Sequence, residues 1–304
     1  ESLFYIYTSG TTGLPKASKF NHSRFIAGAS LQSLSLKMDT NDKTYMVLPL
    51  YHSTGGVVGV GSTFFTGGTL VLRKKFSAER FWKDCVENNI TIVTYIGEML
   101  RYLVNTKESE YENKHKIRGI FGNGLRPDVW KIFAKRFGIS NIKEFYGSSE
   151  GNIALINADS NFGSIGRIPP YLSSVMKTRI VKFNVEEEKV ERNADGFCIE
   201  CEPDEIGEAI GFIPDDGKLT GRFDGYTNKE ASKKKILENV FETGDQWFSS
   251  GDLLKRDSQG YYYFIDRIGD TFRWKSENVS TNEVSEIVSA ISGIKEANIY
   301  GVEV

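Results

Sequence analysis

Between residues 45 and 146, short β-branched or apolar runs alternate with stretches of helical apolar spacing, and this alternation restricts the fold more than any other feature of the chain. Tyr45-Met46-Val47-Leu48, Thr91-Ile92-Val93-Thr94, Ile117 to Phe121 and Ile142 to Tyr146 read as strands. Phe81, Trp82, Cys85 and Val86 fall on one face of a helix. Pro127 suits the first position of another, with Val129, Ile132, Phe133 and Phe137 as its buried stripe and Gly138 just past its end. Strands joined through helices in this order make a largely parallel sheet covered by helices. Ahead of it, Leu3-Phe4-Tyr5-Ile6-Tyr7 reads as a buried strand, followed by a polar Gly/Thr loop and a helix from about His22 to Leu36.

From about Gly163 the texture changes. Arg179 to Phe183, Phe197 to Cys201 and Glu208 to Phe212 are short strands between acidic, Gly-containing turns, which suits an antiparallel, barrel-like region. Ser280-Thr281-Asn282-Glu283 is a capping box ahead of Val284, Ile287, Val288 and Ile291 at helical spacing. The expected fold is therefore α/β: a large domain over 1–266, made of helix-covered sheet (1–160) and an antiparallel β-barrel-like region (161–266), then the start of a small α+β C-terminal domain (267–304).

Composition excludes several classes. The 304 residues carry 38 Lys+Arg against 40 Asp+Glu, so no basic field points to a nucleic-acid partner. No apolar run approaches the roughly 20 residues of a membrane-spanning helix. Three cysteines suit a reducing compartment better than a disulfide scaffold. Strand-like sequence at both ends, with Glu1 rather than Met in first place, leads us to expect an internal fragment of a longer protein.

The strongest local signal is Tyr7-Thr8-Ser9-Gly10-Thr11-Thr12-Gly13-Leu14-Pro15-Lys16. Glycines let backbone N–H groups face an anion, hydroxyls add donors, and Lys16 adds a charge suited to phosphate. A Walker loop needs Gly where Pro15 stands and Ser or Thr where Ala17 stands, so that reading fails.

The same string resembles the phosphate-binding signature of the adenylate-forming enzymes, the superfamily of acyl-CoA synthetases, luciferases and peptide-synthetase adenylation domains. Further matches follow in order: Pro49-Leu50-Tyr51-His52-Ser53, Tyr146-Gly147-Ser148-Ser149-Glu150, Ser250-Gly251-Asp252, and Asp266-Arg267 followed by Lys275, which resembles the hinge. Tyr95-Ile96-Gly97-Glu98, Gly122-Asn123-Gly124-Leu125-Arg126-Pro127 and Asp266 to Lys275 are similar to the fatty acid transport protein and very-long-chain acyl-CoA synthetase branch.

The resemblance implies a two-step reaction in which a carboxylate attacks the α-phosphate of ATP, giving acyl-adenylate and pyrophosphate, and the CoA thiol then displaces AMP. ATP, Mg²⁺ and CoA are the implied cofactors, and a long- or very-long-chain fatty acid the implied substrate. Thr8 and Glu150 would hold Mg²⁺. Lys16, with Thr11 and Thr12 of the loop Ser9, Gly10, Thr11, Thr12 and Gly13, would cradle the β- and γ-phosphates. Tyr146, with Gly147, Ser148 and Ser149, would offer its ring to adenine, Gly122, Asn123 and Gly124 would lie close to the nucleotide, and Asp252 with Arg267 would bond the ribose. His52 matches the position lining the acyl and carboxylate site. Thr8, Lys16, His52 and Glu150 are thus the candidate catalytic set. Thr243-Gly244-Asp245 matches the Thr-Gly-Asp motif literally, yet the spacing to Arg267 favours Asp252, and Asp245→Ala is expected to act mildly.

Ser149 and Ser250 replace the usual Thr and keep the hydroxyl, and Ser276 stands where the branch reads Gly. The family's lysine that orients the carboxylate is expected beyond residue 304. Cys198 and Cys201 have C-x-x-C spacing, but on a strand residues three apart face opposite ways and no second pair exists. Lys233-Lys234-Lys235 and Glu186-Glu187-Glu188 read as solvated surface, the former able to touch anionic lipid. The expected location is cytoplasmic or peripheral to a membrane. Alternative readings are a CoA ligase for a medium-chain, bile-type or carnitine-like acid, and a fatty-acid uptake or binding protein with secondary or lost catalysis.

Overall fold

The structure, a computed structural model, describes residues 2–8, 16–214, 223–268, 272–274, 277–291, 293–294 and 296–300. The chain divides into two units, Glu1–Glu150 with Ile156–Gly163 and Asp224–Asn228, and Gly151–Leu155 with Ser164–Phe223 and Lys229–Val304.

The first unit opens with an antiparallel pair, β1 (Ser2–Thr8) and β2 (Lys16–Asn21), whose register sets Thr8 opposite Lys16. Helix α1 (His22–Ser35) follows at once, because the Asn21 side chain caps it by accepting from Arg24 N at 2.9 Å. Then β3 (Lys43–Met46), a π-helical stretch Ser53–Val60, α2 (Gly61–Thr66), β4 (Thr69–Leu72), α3 (Ala78–Glu87), β5 (Ile92–Ile96), α4 (Gly97–Val104), β6 (Gly119–Asn123), α5 (Pro127–Phe137) and β7 (Ile142–Tyr146) succeed one another. With β8 (Leu155–Asn157) they form one six-stranded sheet in the order β4-β3-β5-β6-β7-β8. The pairs β3-β4, β3-β5, β5-β6 and β6-β7 are parallel, as the alternation required.

Both faces of this sheet are covered. Val93, Tyr95 and Ile120 pack with Phe81, Trp82, Phe133 and Phe137 of α3 and α5, while Ile92 and Phe121 turn the other way to Leu36, Met38 and Val58. Period-two alternation with apolar residues on both sides explains why these strands read as continuous apolar runs. Two expectations are corrected. On α5 it is Trp130 that is buried, and Ile132 is 52% exposed. On β1 only Ile6 is buried, against Phe20 and Val57, while Leu3, Tyr5 and Tyr7 are exposed, because a strand in a two-stranded ribbon presents alternate residues to opposite faces. Residues 224–228 join this unit along β2, where Lys19 N donates to Gly225 O at 3.1 Å and Thr227 N to Ala17 O at 2.9 Å.

The second unit is antiparallel. Strands β9 (Gly166–Arg167), β10 (Thr178–Asn184), β11 (Lys189–Val190) and β12 (Ile206–Phe212) are followed by the short α6 (Lys229–Lys233) and then β13 (Ile236–Glu238), β14 (Gln246–Arg256) and β15 (Tyr261–Arg267). They run β11-β10-β12-β14-β15-β9 with β13 beside β14, an open path rather than a closed ring among the described residues. Residues 197–201 form no strand: they make isolated bridges, with Cys198 N donating to Val240 O at 2.7 Å and Cys201 N to Ile180 O at 2.8 Å. Cys198 and Cys201 are buried there as free thiols, so burial rather than opposed strand faces is what removes them from chemistry. Beyond the hairpin β16 (Phe272–Trp274) and β17 (Glu277–Val279), α7 (Thr281–Ser289) is capped by Ser280 Oγ, which accepts from Glu283 N at 3.2 Å. Among the described residues its apolar stripe is only partly covered: Val284 and Val288 are half-buried, while Ile287 and Ile291 are exposed.

Candidate functional site

In the first unit the sequence motifs meet through hydrogen bonds. Ser18 Oγ on β2 donates to Ser149 O at 2.8 Å, and the half-buried Arg24 of α1 donates to Ser148 O at 3.3 Å. Burial lowers the Arg24 pKa, against the opposing pull of Asp224 and Glu150. Ser149 Oγ lies 3.4 Å from Ser53 Oγ, and Thr54 Oγ1 donates to Asn123 Oδ1 at 3.3 Å. Three segments far apart in sequence, Pro49–Thr54, Gly122–Gly124 and Tyr146–Glu150, are thereby tied together at the carboxyl ends of parallel strands, where ligands of open α/β sheets bind.

Individual side chains fill out this picture. His52 is exposed, its ring 4.6 Å from that of Tyr51, with its carbonyl accepting from Gly56 N at 2.8 Å. Tyr146 and Glu150 are half-buried. Lys16 Nζ lies 5.7 Å from the centre of the Tyr226 ring. Gly122 admits no side chain, since a Cβ would stand 2.2 Å from Tyr95 O. Ser9, Gly10, Thr11, Thr12 and Gly13 lie outside the described residues, as do Lys275 and Ser276.

In the second unit β14 and β15 set Asp252 opposite Arg267, and Arg267 Nε donates to Asp252 Oδ1 at 3.1 Å. Asp252 is buried while the Arg267 side chain is about half exposed. Asp245 is used differently: Oδ1 accepts from Val240 N at 2.6 Å, and Oδ2 from Phe241 N at 3.0 Å and Trp247 Nε1 at 2.8 Å. The expectation that Asp245→Ala is mild therefore needs correcting for stability, because four donors, Glu242 N at 3.3 Å included, would lose their acceptor. Asp266 is also committed to its surroundings, accepting from Thr281 N at 2.8 Å and Asn282 Nδ2 at 3.0 Å, which fastens the start of α7 to β15.

Two buried acids escaped sequence reasoning. Glu144 on β7 accepts from Leu125 N at 3.3 Å, and burial pushes its carboxyl up to about 8. Glu208 on β12 accepts from Gly251 N at 3.0 Å and from Ser249 Oγ, and burial raises it despite those hydrogen bonds. Each holds a backbone amide beside a motif the sequence had singled out. The available signal was an acid inside an apolar strand run, Ile-Lys-Glu-Phe-Tyr for Glu144 and Gly-Glu-Ala-Ile for Glu208.

The chain belongs to the AMP-binding enzyme family, whose model matches residues 1–196. Within that class it is 48% identical over all 304 residues to long-chain fatty acid transport protein 1 of Bos taurus, covering 47% of that protein. It is 45% identical to long-chain fatty acid transport protein 2 of Rattus norvegicus over 300 residues, 99% of this chain and 48% of the relative. The chain thus spans about half the length of these relatives. Its fold is that of ATP-bound MatB from Rhodopseudomonas palustris, with TM-score 0.77 at 22% identity over 98% of this chain and 54% of that one. O-succinylbenzoate coenzyme A synthetase from Bacillus subtilis with ATP and magnesium gives TM-score 0.71 at 24% identity, over 98% of this chain and 57% of that one. No helix among the described residues is long and apolar enough to cross a membrane.

Proposed function

We propose that this chain carries most of the nucleotide-handling part of an enzyme that activates a long- or very-long-chain fatty acid with ATP, as acyl-adenylate and then acyl-CoA. The observation that carries the reading is the hydrogen-bonded meeting of Ser53 and Thr54, next to His52, with Ser149 and Asn123. In this reading Lys16 and the Thr11 and Thr12 hydroxyls bind the β- and γ-phosphates, Gly122 to Gly124 and Tyr146 to Ser149 flank the base, and Asp252 with Arg267 takes the ribose hydroxyls. His52 lines the carboxylate position.

Thr8 and Glu150 offer hard oxygens, which suits Mg²⁺. That ion keeps waters and binds substrate phosphates through one or two carboxylates rather than sitting in an all-protein cage, and the described residues form no cluster of three or more acids, His or Cys. When bound, Mg²⁺ neutralises phosphate charge as pyrophosphate departs.

The reading also carries a domain division at about residue 266, with 267–304 opening the C-terminal domain. CoA attack would follow adenylation, and contact with a membrane surface would be peripheral, through exposed groups such as Lys233 and Lys234, whereas Lys235 Nζ donates to Ser250 O at 3.3 Å. ATP–pyrophosphate exchange by the full-length protein with a panel of acids tests the reading. Exchange with long acids supports it, and exchange with other acids alone changes the substrate. Fatty-acid binding without any exchange favours the uptake reading, which the names of the relatives support.

A further inference from the structure

Glu144 is buried on β7 beside the turn that follows β6. Leu125 N donates to its Oε2 at 3.3 Å, and its Oε1 is hydrogen-bonded to Tyr95 Oη, which is itself buried on β5 and lies 3.3 Å from Lys143 O. The Tyr95 ring occupies the space a side chain at Gly122 would need, 2.7 Å from the Cβ position. At Gly97, the first residue of α4, a Cβ would fall 1.8 Å from Gly124 O. The Gly122–Leu125 turn is thus gripped from β5, from α4 and from β7.

We propose that Glu144 and Tyr95 form a positioning clasp that fixes the Gly122–Leu125 turn for the nucleotide, a role that rests on reading this turn as nucleotide-facing. Neither residue touches the reacting atoms. A buried acid is costly to keep unless its hydrogen bonds hold something in place, and here they hold an amide and a ring at one turn. In its neutral form the carboxyl donates to Tyr95 Oη, which hands a hydrogen bond on to Lys143 O. In its ionised form it accepts from Tyr95 and leaves Lys143 O without that donor. Burial outweighs the hydrogen bonds from Tyr95, Leu125 and Gly124 and brings the carboxyl to about 8, so the neutral form prevails at pH 7. Among neighbouring charged groups, Glu98 of α4 is bonded by Arg101, Arg126 pairs with Asp128, and Lys143 reaches Ser160.

The test uses the full-length protein and its Glu144→Gln and Tyr95→Phe variants. It measures affinity for a fluorescent ATP analogue from pH 7 to 9.5, hydrogen exchange of the peptide containing Leu125, and thermal melting. Above pH 8 the wild type should bind the analogue about fivefold more tightly than Glu144→Gln, because a carboxylate accepts from Leu125 N and Tyr95 Oη more strongly than a neutral amide does. Glu144→Gln, which cannot ionise, should hold its pH 7 affinity throughout. Tyr95→Phe should weaken binding at every pH and speed exchange at Leu125 while remaining folded. Identical pH profiles for wild type and Glu144→Gln would overturn the clasp, as would faster exchange in Tyr95→Phe with unchanged affinity. Analogue binding without pyrophosphate exchange for any acid defeats the proposed reaction and leaves the clasp standing. No binding by the wild type defeats both.

Discussion

Asp245 and Asp252 each follow a glycine and stand seven positions apart, yet their surroundings assign them different work. Asp245 spends its oxygens on the turn between β13 and β14, whereas Asp252 accepts from Arg267 on β15. Asp245→Ala should therefore lower the melting temperature, at a cost of about 1–3 kcal/mol for donors left without an acceptor, while the folded fraction keeps its ATP affinity. Asp252→Ala should do the reverse, and a nucleotide titration paired with a melt decides between them. Lys16→Ala should raise the Michaelis constant for ATP through loss of a charge-assisted contact of about 1.5–3 kcal/mol. Its melt should move little, since Lys16 is not buried. An unfolded Lys16→Ala, or an unchanged Michaelis constant, would remove the phosphate role. At this scale the motif residues were legible because hydroxyls, glycines and a lysine at fixed spacing are a chemical statement in themselves. The partners of Asp245 were not, because they are mostly backbone amides, which every sequence contains.

Elements were legible where local and tertiary signals agreed. Helix α5 begins at Pro127, ends at Phe137 and is followed by Gly138 at φ 66°, as its start and stop residues required. Which face it buries was only partly legible: Trp130 and Ile132 are both apolar neighbours of the stripe, and docking against Phe162 and Trp82 chose Trp130 and Phe133. Phe133→Ala should cost about 3–5 kcal/mol by opening a cavity, and Ile132→Ala about 0.5 kcal/mol or less at its exposed site. Equal losses of melting temperature would mean that the helix sits rotated about its axis. Residues 197–201 failed the other way: their alternation is strand-like, but they meet β10 through one isolated bridge, Val181 with Glu200, so no ladder forms. Residues 224–228 carry no pattern that announces their place along β2, because that place is fixed by partners some 200 positions earlier in the sequence.

For the whole molecule, buried acids set the direction in which stability depends on pH. Glu144 in one unit and Glu208 in the other are both raised by burial, in spite of their hydrogen bonds. A carboxyl raised in the folded state keeps its proton after the unfolded chain has released one at about pH 4.3, so each such group lowers stability as pH rises. For Glu144 that window runs from about 4.3 to about 8, above which both states are ionised and the effect is constant. Asp42 works in the opposite sense: burial would raise it, but hydrogen bonds from Arg118, Asp39 N and Thr91 outweigh burial and lower it. Its contribution is present above the unfolded value of about 3.9 and disappears as pH falls through the folded one. Glu144 and Glu208 thus favour mildly acidic solution, while His115, lowered by burial, favours higher pH. Glu144→Gln removes one of the two penalties while keeping the side chain's shape. It should melt above the wild type at pH 7, by a few kcal/mol in stability at about 1.4 kcal/mol per pH unit, with the gap closing toward pH 4 and levelling off above 8. Melting curves of both proteins across pH 4 to 9 check this, and a gap that stays constant, or widens toward acid, would mean that Glu144 is ionised in the folded protein.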